Sequence, residues 1–431
     1  KGIPYIIGNE AAERYSFYGM KAILIVFLVG LLQQSGMAEF EANAKASFWV
    51  HLFVMATYAT GIMGALLSDI LWGKYRTIIN LSLVYCVGNF ILAFWETPQG
   101  FFWGCTLIAI GAGGIKPCVS AHVGDQFDAT NSHLIERMYN WFYFSINVGA
   151  IIAYLSAERI LSNPYLTEIG WNARVAFGLP GLLMLIALIV FYLGRQKYIS
   201  VKPAGWSVYK KEIFSSKGAS LVGRLLPFYT FLAIFWSLFD QTATSWVIQA
   251  QSDLMVKTVD LGFFQFEFLP SQIGFVNPLF VLLFIPLFTY IIYPRLGKIM
   301  PLTYFNKMSL GFSFAVLSFA LVAWVQVQMD NGHSMSFLYQ IAAFVLLTCA
   351  EILISITSLE FSYTQAPKVL KSFILSFWLL AVAFGNGFTA LINGLIAETS
   401  LNKYIQNGEA EYFLFFTALM ALGSIGFYIV N

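Results

Sequence analysis

Twelve apolar stretches, each about 20 residues long, follow one another along this chain with short polar breaks between them. A stretch of that length crosses a hydrocarbon core about 30 Å thick as a helix, and in lipid only helices and closed barrels leave no backbone group unpaired. The pattern predicts helices over 10–33, 47–70, 77–96, 100–122, 139–161, 173–194, 224–249, 271–293, 303–328, 335–361, 370–398 and 409–430. Composition agrees: 58% of the 431 residues are hydrophobic and only 11% charged, against about 25% charged in soluble domains. The expectation is an all-α integral membrane protein with the lipid bilayer as its partner. A net charge of +2 gives no reason to expect nucleic acid.

The longest polar interval, 195–223, holds Lys197, Lys202, Lys210, Lys211 and Lys217 and a Pro-Ala-Gly break at 203–205. It separates a first half, 1–194, from a second, 224–431, each with six predicted spans, which suits the two-bundle plan of secondary transporters. Loops on the linker's side collect Lys74, Arg76, Arg137, Arg195, Arg224, Arg295, Lys298, Lys307, Lys368 and Lys371. The opposite loops hold Lys45, Arg159, Arg174, Lys257 and Lys403. By the positive-inside rule both termini and the linker face the cytoplasm. Cys86, Cys105, Cys118 and Cys349 lie in apolar stretches without metal-ligand spacing and read as buried thiols, so neither a disulfide framework nor a metal site is expected. The chain runs at once into its first span, and no removable signal peptide is expected.

Within that first span, Glu10, Glu13, Arg14, Phe17, Tyr18 and Lys21 stand at offsets of 0, 3, 4, 7, 8 and 11, on one helix face. Each ionised group at the bilayer centre costs about 2.5 to 3.5 kcal/mol even on permissive scales, so the stripe must face a wet, protein-lined cavity. Lys116, Asp240 and Glu351 are embedded in later spans. Together these make four acids against three bases, and one excess acid in a low-dielectric cavity can hold an exchangeable proton. Static ion pairs between helices are the plainer alternative, but they stabilise poorly relative to apolar packing. His51 lies seven residues before Tyr58 on the same face, where an imidazole could relay a proton or simply be hydrogen-bonded.

No Walker nucleotide-binding loop occurs, so energy must come from an ion gradient or from the solute's own. Gly111-Ala112-Gly113-Gly114, just before Lys116-Pro117, reads as close helix packing and a kink rather than a phosphate loop. Asp69, Gly73, Lys74 and Arg76 at a helix end resemble the loop motif of the major facilitator superfamily and could brace a gate; a solvated helix end is the alternative. Tyr18, Tyr58, Tyr143, Trp236 and Trp378 are candidate cavity walls in a chain with 17% aromatics, most of which must be core. Asn147 and Asn277 stand out among them, because an amide inside an apolar helix needs a partner.

The opening Glu10-Ala-Ala-Glu13-Arg14-Tyr15-Ser16-Phe17-Tyr18-Gly19 resembles the Glu-x-x-Glu-Arg-Phe-x-Tyr-Tyr-Gly motif of the proton-dependent oligopeptide transporters, a branch of the major facilitator superfamily. Phe142-Tyr143-Phe144-Ser145-Ile146-Asn147-Val148-Gly149 is similar to the family's fifth-helix signature, Lys116-Pro117 to its fourth helix, and Phe235-Trp236 with Phe239-Asp240-Gln241 to its seventh. Ser358 to Pro367 looks like the end of the tenth helix in the animal-type members.

The resemblance implies a major facilitator fold of twelve transmembrane helices in two six-helix bundles and a symporter importing di- and tripeptides with protons by alternating access. No enzyme activity and no cofactor is expected, protons being the coupling ion. Glu10, Glu13 and Arg14, with His51 and Asp240, are implied in proton coupling. Tyr18, Lys21, Tyr58, Lys116, Asn147, Trp236, Asn277, Glu351 and Trp378 are implied in holding the peptide: lysines at its carboxylate, Asn147, Asn277 and Glu351 at its amino end, tryptophans at its side chains. Lys116 with Glu351, and Lys21 with Asp240, are implied as gating salt bridges. A zwitterion with variable side chains suits fixed charges for its ends and roomy aromatic walls for the rest.

The sequence departs from the motif at Phe17, which lacks the family's tyrosine hydroxyl, and at Tyr15, which adds one. The interval 195–223 is also too short and polar for the two extra helices that some bacterial members insert there. A related carrier of another solute, nitrate or an amino-acid conjugate, is the alternative. A monomeric unit is expected and, for lack of a long insertion between helices 9 and 10, a bacterial inner membrane.

Overall fold

The computed structural model describes residues 2–127, 134–199, 201–203, 205–207, 210, 216–260, 262, 265–365 and 371–430, without the side chains of 135–137, 139–140, 216–222, 363 and 371–376. Part of the linker 195–223 with Lys211, the Ala366-Pro367 end of the tenth-helix motif, and Lys368 lie outside the described residues, as do the side chains of Arg137, Lys217 and Lys371.

The long helices are α1 (Ile3–Gln34), α2 (Glu39–Trp72), α3 (Lys74–Phe94), α4 (Pro98–Gly124), α5 (Ile135–Leu161), α6 (Asn172–Leu193), α7 (Ser216–Phe239), α8 (Pro270–Leu296), α9 (Tyr304–Asp330), α10 (Leu338–Ser362), α11 (Lys371–Glu398) and α12 (Ala410–Val430). Among the described residues, eleven helices, all but α7, contain a stretch long and apolar enough to cross a membrane. Their starts follow local rules. Thr97 accepts from Gly100 N at 3.1 Å with Pro98 in the first turn of α4, and Thr303 caps α9 by accepting from Asn306 N at 3.1 Å. Because α1 begins at Ile3 rather than at 10, the charged stripe lies well inside a helix, not at its frayed end.

The expected unbroken helix over 224–249 is not what forms. α7 stops at Phe239, Asp240–Ala243 make a 3-10 turn, Thr244 leaves helical geometry at φ −132° and ψ −90°, and helix resumes over Ser245–Gln251. The run Asp240-Gln-Thr-Ala-Thr244 explains the break, since short polar side chains compete for the helix's own carbonyls. Gln241 donates to Ser237 O at 2.8 Å, and Thr242 to Phe239 O at 2.8 Å. Three other spans carry a π-helical segment: α2 at Leu67–Trp72, α8 at Phe288–Ile292 and α10 at Ile352–Ile356, directly after Glu351. Between α7 and α8 a small hairpin pairs Thr258–Asp260 with Gln265–Glu267.

The chain forms two compact units. The first contains Lys1–Ile23, Phe53–Val222 and Lys368–Ala383, and the second Leu24–Leu52, Gly223–Pro367 and Phe384–Asn431. α1, α2 and α11 therefore each contribute to both. In the first unit the glycine run of α4 is a packing surface: a methyl at Gly111 would lie 2.7 Å from Leu81 O, and one at Gly113 would overlap Thr57 O. α4 continues through Pro117. In the second unit Phe288, Ile352 and Leu353 form a buried cluster joining the π-helical segments of α8 and α10. Cys86, Cys105 and Cys118 are buried and Cys349 partly so, all as free thiols.

Candidate functional site

In the first unit the α1 stripe closes on itself. Arg14 Nε lies 2.8 Å from Glu10 Oε1 and 2.5 Å from Glu13 Oε2, and the three side chains are almost wholly buried. One guanidinium thus faces two carboxylates, the first a helical turn below it and the second its neighbour in the chain. Lys116, from α4, extends its ammonium over two rings at once, 4.4 Å from the centroids of both Phe17 and Tyr58. Its charge is also felt at both glutamates. Such a cation–π seat holds an ammonium without neutralising it, so the phenylalanine that replaces a motif tyrosine has a positive use here. Tyr18 packs on Tyr154 with ring centroids 5.9 Å apart, and Lys21 is 8% exposed. The Asn147 amide donates to Tyr143 O at 2.9 Å within its own helix. Trp378, in the part of α11 that belongs to this unit, is half-buried.

The second unit gathers His51, Asp240, Trp236, Asn277 and Glu351. His51 is fully buried, with Nδ1 2.9 Å from Asn386 Oδ1 and Nε2 2.9 Å from Thr244 Oγ1. Asn386 Nδ2 in turn donates to Asp240 Oδ2 at 2.8 Å. Because a carboxylate only accepts, the amide nitrogen faces Asp240 and its oxygen faces His51, which puts the proton of a neutral imidazole on Nδ1. Nε2 then accepts from the Thr244 hydroxyl. Protonation at Nε2 would reverse that one bond, and Thr244 Oγ1 has a second acceptor in Gln241 O at 3.4 Å. The group can change charge while its heavy-atom contacts persist.

Glu351, at the end of the α-helical part of α10, accepts from Asn277 Nδ2 at 2.6 Å, and the same amide reaches Thr348 Oγ1 at 3.3 Å. Trp236 is almost wholly buried against Phe235 and Phe239, with centroids at 5.3 and 5.1 Å. Neither Asn386 nor Thr244 was expected from the sequence to belong here. The reasoning that picked out Asn147 and Asn277, an amide inside an apolar helix, applies equally to Asn386 and would have found it. Among the described residues no group of three or more His, Cys, Asp or Glu is placed to hold a metal ion.

At the linker-side end of α3 the residues of the loop motif find separate partners. Lys74 pairs with Asp125 at 2.6 Å, while Asp69 accepts from Ser68 Oγ at 3.1 Å within the π-helical segment of α2. Gly73, at φ +76°, makes the turn between α2 and α3.

Comparison with known proteins sets this geometry in a lineage. The family model described as "PTR2: POT family" matches residues 75–220 and 215–407. The chain belongs to the POT family. It is 33% identical to peptide transporter family 1 of Drosophila melanogaster over 371 residues, covering 77% of this chain and 48% of that one. It is likewise 33% identical to human solute carrier family 15 member 2, over 76% of this chain and 49% of that one. The chain thus spans about half the length of these animal relatives. The crystal structure of the POT family transporter PepTSo aligns over 99% of this chain and 97% of its own with a TM-score of 0.87 and 33% identity. A second POT structure, described as a proton dependent oligopeptide family transporter, aligns over 99% and 100% with a TM-score of 0.82 and 35% identity. The fold is therefore the all-α major facilitator fold of POT transporters, and the chain is a multi-pass membrane protein.

Proposed function

We propose that this POT protein is a proton-coupled symporter that imports di- and tripeptides by alternating access. The observation that carries the reading is the set of ionisable side chains withdrawn from solvent within both units: Glu10, Glu13 and Arg14 buried and Lys116 half-buried in the first, His51 and Asp240 buried and Glu351 half-buried in the second. Charges in such places are costly, and their usual return is function. The relatives named as peptide transporters support the choice of substrate.

Glu13 and Glu10 compete for Arg14, so protonating one would free the guanidinium to favour the other. His51 would share its proton state with Asp240 through the Asn386 amide. Lys21, Tyr58 and Lys116 would meet the peptide carboxylate and Asn147, Asn277 and Glu351 its ammonium, with Tyr18, Trp236 and Trp378 lining the side-chain space. Lys116 with Glu351, and Lys21 with Asp240, would act as gates that protonation and substrate open and close, between bundles 1–194 and 224–431 joined by the linker 195–223. The functional unit would be a monomer without resident cofactor, in a bacterial inner membrane, with both termini cytoplasmic.

Uptake of labelled dialanine into proteoliposomes, with and without an inward proton gradient, tests this. Accumulation above equilibrium only with the gradient is expected. Uptake indifferent to the gradient would overturn the coupling, and uptake blocked by nitrate but not by unlabelled dialanine would overturn the substrate.

A further inference from the structure

Glu13 stands on the border between two faces of α1. One carries Glu10, Arg14, Phe17 and Lys21. The other, turned by about 100°, carries Asn9 and Ser16, which with Glu13 fall at offsets of 0, 4 and 7. On α3, Ser82, Tyr85 and Asn89 fall at offsets of 0, 3 and 7 and likewise share a face. The two faces meet at Ser16 and Tyr85, for Ser16 lies beside the Tyr85 hydroxyl and Tyr85 is within electrostatic reach of Glu13 and Arg14, while Asn89 also packs against Gly181 of α6. None of the six side chains is more than 1% exposed.

Eight polar atoms in this layer have no aligned hydrogen-bond partner among the protein groups: both amide atoms of Asn9, both Glu13 oxygens, the hydroxyls of Ser16, Ser82 and Tyr85, and Asn89 Oδ1. The Asn89 amide nitrogen alone is used, donating to Tyr85 O at 3.1 Å. Arg14 Nε sits close to Glu13 but is poorly aligned to donate, so the ion pair leaves lone pairs of the carboxylate open to a further donor. Leaving a buried polar atom unpaired costs more than a formed hydrogen bond returns, and a concentration of them in one layer calls for another partner. Water is the partner whose chemistry fits. The two faces mix donors, acceptors and hydroxyls that can be either, and a water molecule bridges two to four such groups. One carboxylate among neutral groups is a poor cage for a divalent cation.

We propose that water binds between α1 and α3 at Glu13, Ser16 and Tyr85, with the unpaired polar atoms of Asn9, Ser82 and Asn89 extending the polar faces on either side, and, resting on the proton-coupled reading, that this water gives Glu13 a proton path separate from the peptide-facing stripe. In each hop the Glu13 O–H bond breaks as a water O–H bond forms, and the water passes its surplus proton to the next. No group is consumed.

Hydroxyl-radical footprinting by radiolysis, on the wild-type protein in proteoliposomes, reads the water directly, because radicals form where water is bound. Tyr412 is the control: it is as buried as Tyr85, but its hydroxyl is bonded to Asn393 at 2.9 Å. Tyr85 should be oxidised faster than Tyr412 by at least about tenfold, and equal slow rates would overturn the bound water. The double substitution Ser82→Ala with Tyr85→Phe should lower proton-driven dialanine uptake by about tenfold or more while leaving labelled-for-unlabelled exchange at symmetric pH within about twofold. Equal loss in both assays would overturn the path and leave a packing role. If the double variant aggregates on size-exclusion chromatography, Tyr85→Phe, which removes one oxygen, is read in the same two assays by the same criterion. A wild-type protein indifferent to the proton gradient would sink the symport reading, while the footprint would still decide the water.

Discussion

The buried carboxylates of the two units are held by different chemistry. In the first, Glu10 and Glu13 face a guanidinium; in the second, Asp240 and Glu351 are met by the neutral amides of Asn386 and Asn277. An ion pair cancels charge and fixes geometry together, and breaking one side strands the other. An amide fixes the geometry and leaves the charge in place. The first arrangement suits a group that switches between partners. At Glu351 the second suits a carboxylate that can meet a cation from outside, whether a proton or a peptide ammonium.

The contrast can be broken most directly at Glu351. Glu351→Gln keeps a side-chain oxygen for the Asn277 amide and removes only the charge, so concentrative uptake should be abolished while the protein remains folded by size-exclusion chromatography. Wild-type accumulation in that variant would put Glu351 outside the site. On the ion-paired side, Arg14→Gln leaves two carboxylates without their cation and should cost about 3 to 5 kcal/mol of stability. A melting temperature within a degree or so of wild type at neutral pH would show that the pair contributes little. If stability falls at neutral pH but recovers on acidification, protonation of the stranded carboxylates is the reason, which sharpens the distinction.

Much of this fold was legible because its signals are long. Apolar stretches of membrane length outlast any local irregularity, and a charged stripe within one has few places to face. What escaped was short or depended on a partner. The break after Phe239 comes with a short run in which Gln241, Thr242 and Thr244 turn their side chains back on backbone carbonyls, a local conflict that the length of the apolar run conceals. That Lys74 pairs with Asp125 is set by how α4 ends beside α3, and no spacing within one helix encodes it. Phe17 read as a lost hydroxyl, because the ring's value depends on an ammonium arriving from α4. His51 stood out by its type, whereas the tautomer, and so its chemistry, is fixed by Asn386 and Thr244 from distant parts of the chain.

Smaller effects sharpen the amide side. Asn386→Leu removes the acceptor for His51 Nδ1 and the donor to Asp240 together, so the pH profile of uptake should move and the rate fall by about tenfold. An unchanged profile with a lowered rate would reduce Asn386 to packing. The smallest effect lies outside the membrane spans, at Glu409, whose carboxyl is pushed up to about 7 by burial and then by the nearby Asp330, with Glu411 and Glu39 adding to it. A raised folded-state value favours the protonated form, so the stabilisation is fully present below the ordinary value of 4.5 and is lost as pH rises through about 7. Glu409→Gln should therefore melt at a higher temperature than wild type at pH 8 and at the same temperature near pH 4.5. A difference that persists unchanged across that range would remove the carboxyl as its cause.

The π-helical segment Ile352–Ile356 means that α10 carries one residue more than a regular helix needs just beyond Glu351. Deleting a single residue there would let the helix relax into ordinary hydrogen bonding, and the choice it poses is severe. Either everything ahead of the deletion or everything after it must swing by about 100° about the axis, and the surplus residue is what lets Glu351 and the packing of Leu353 keep their separate bearings.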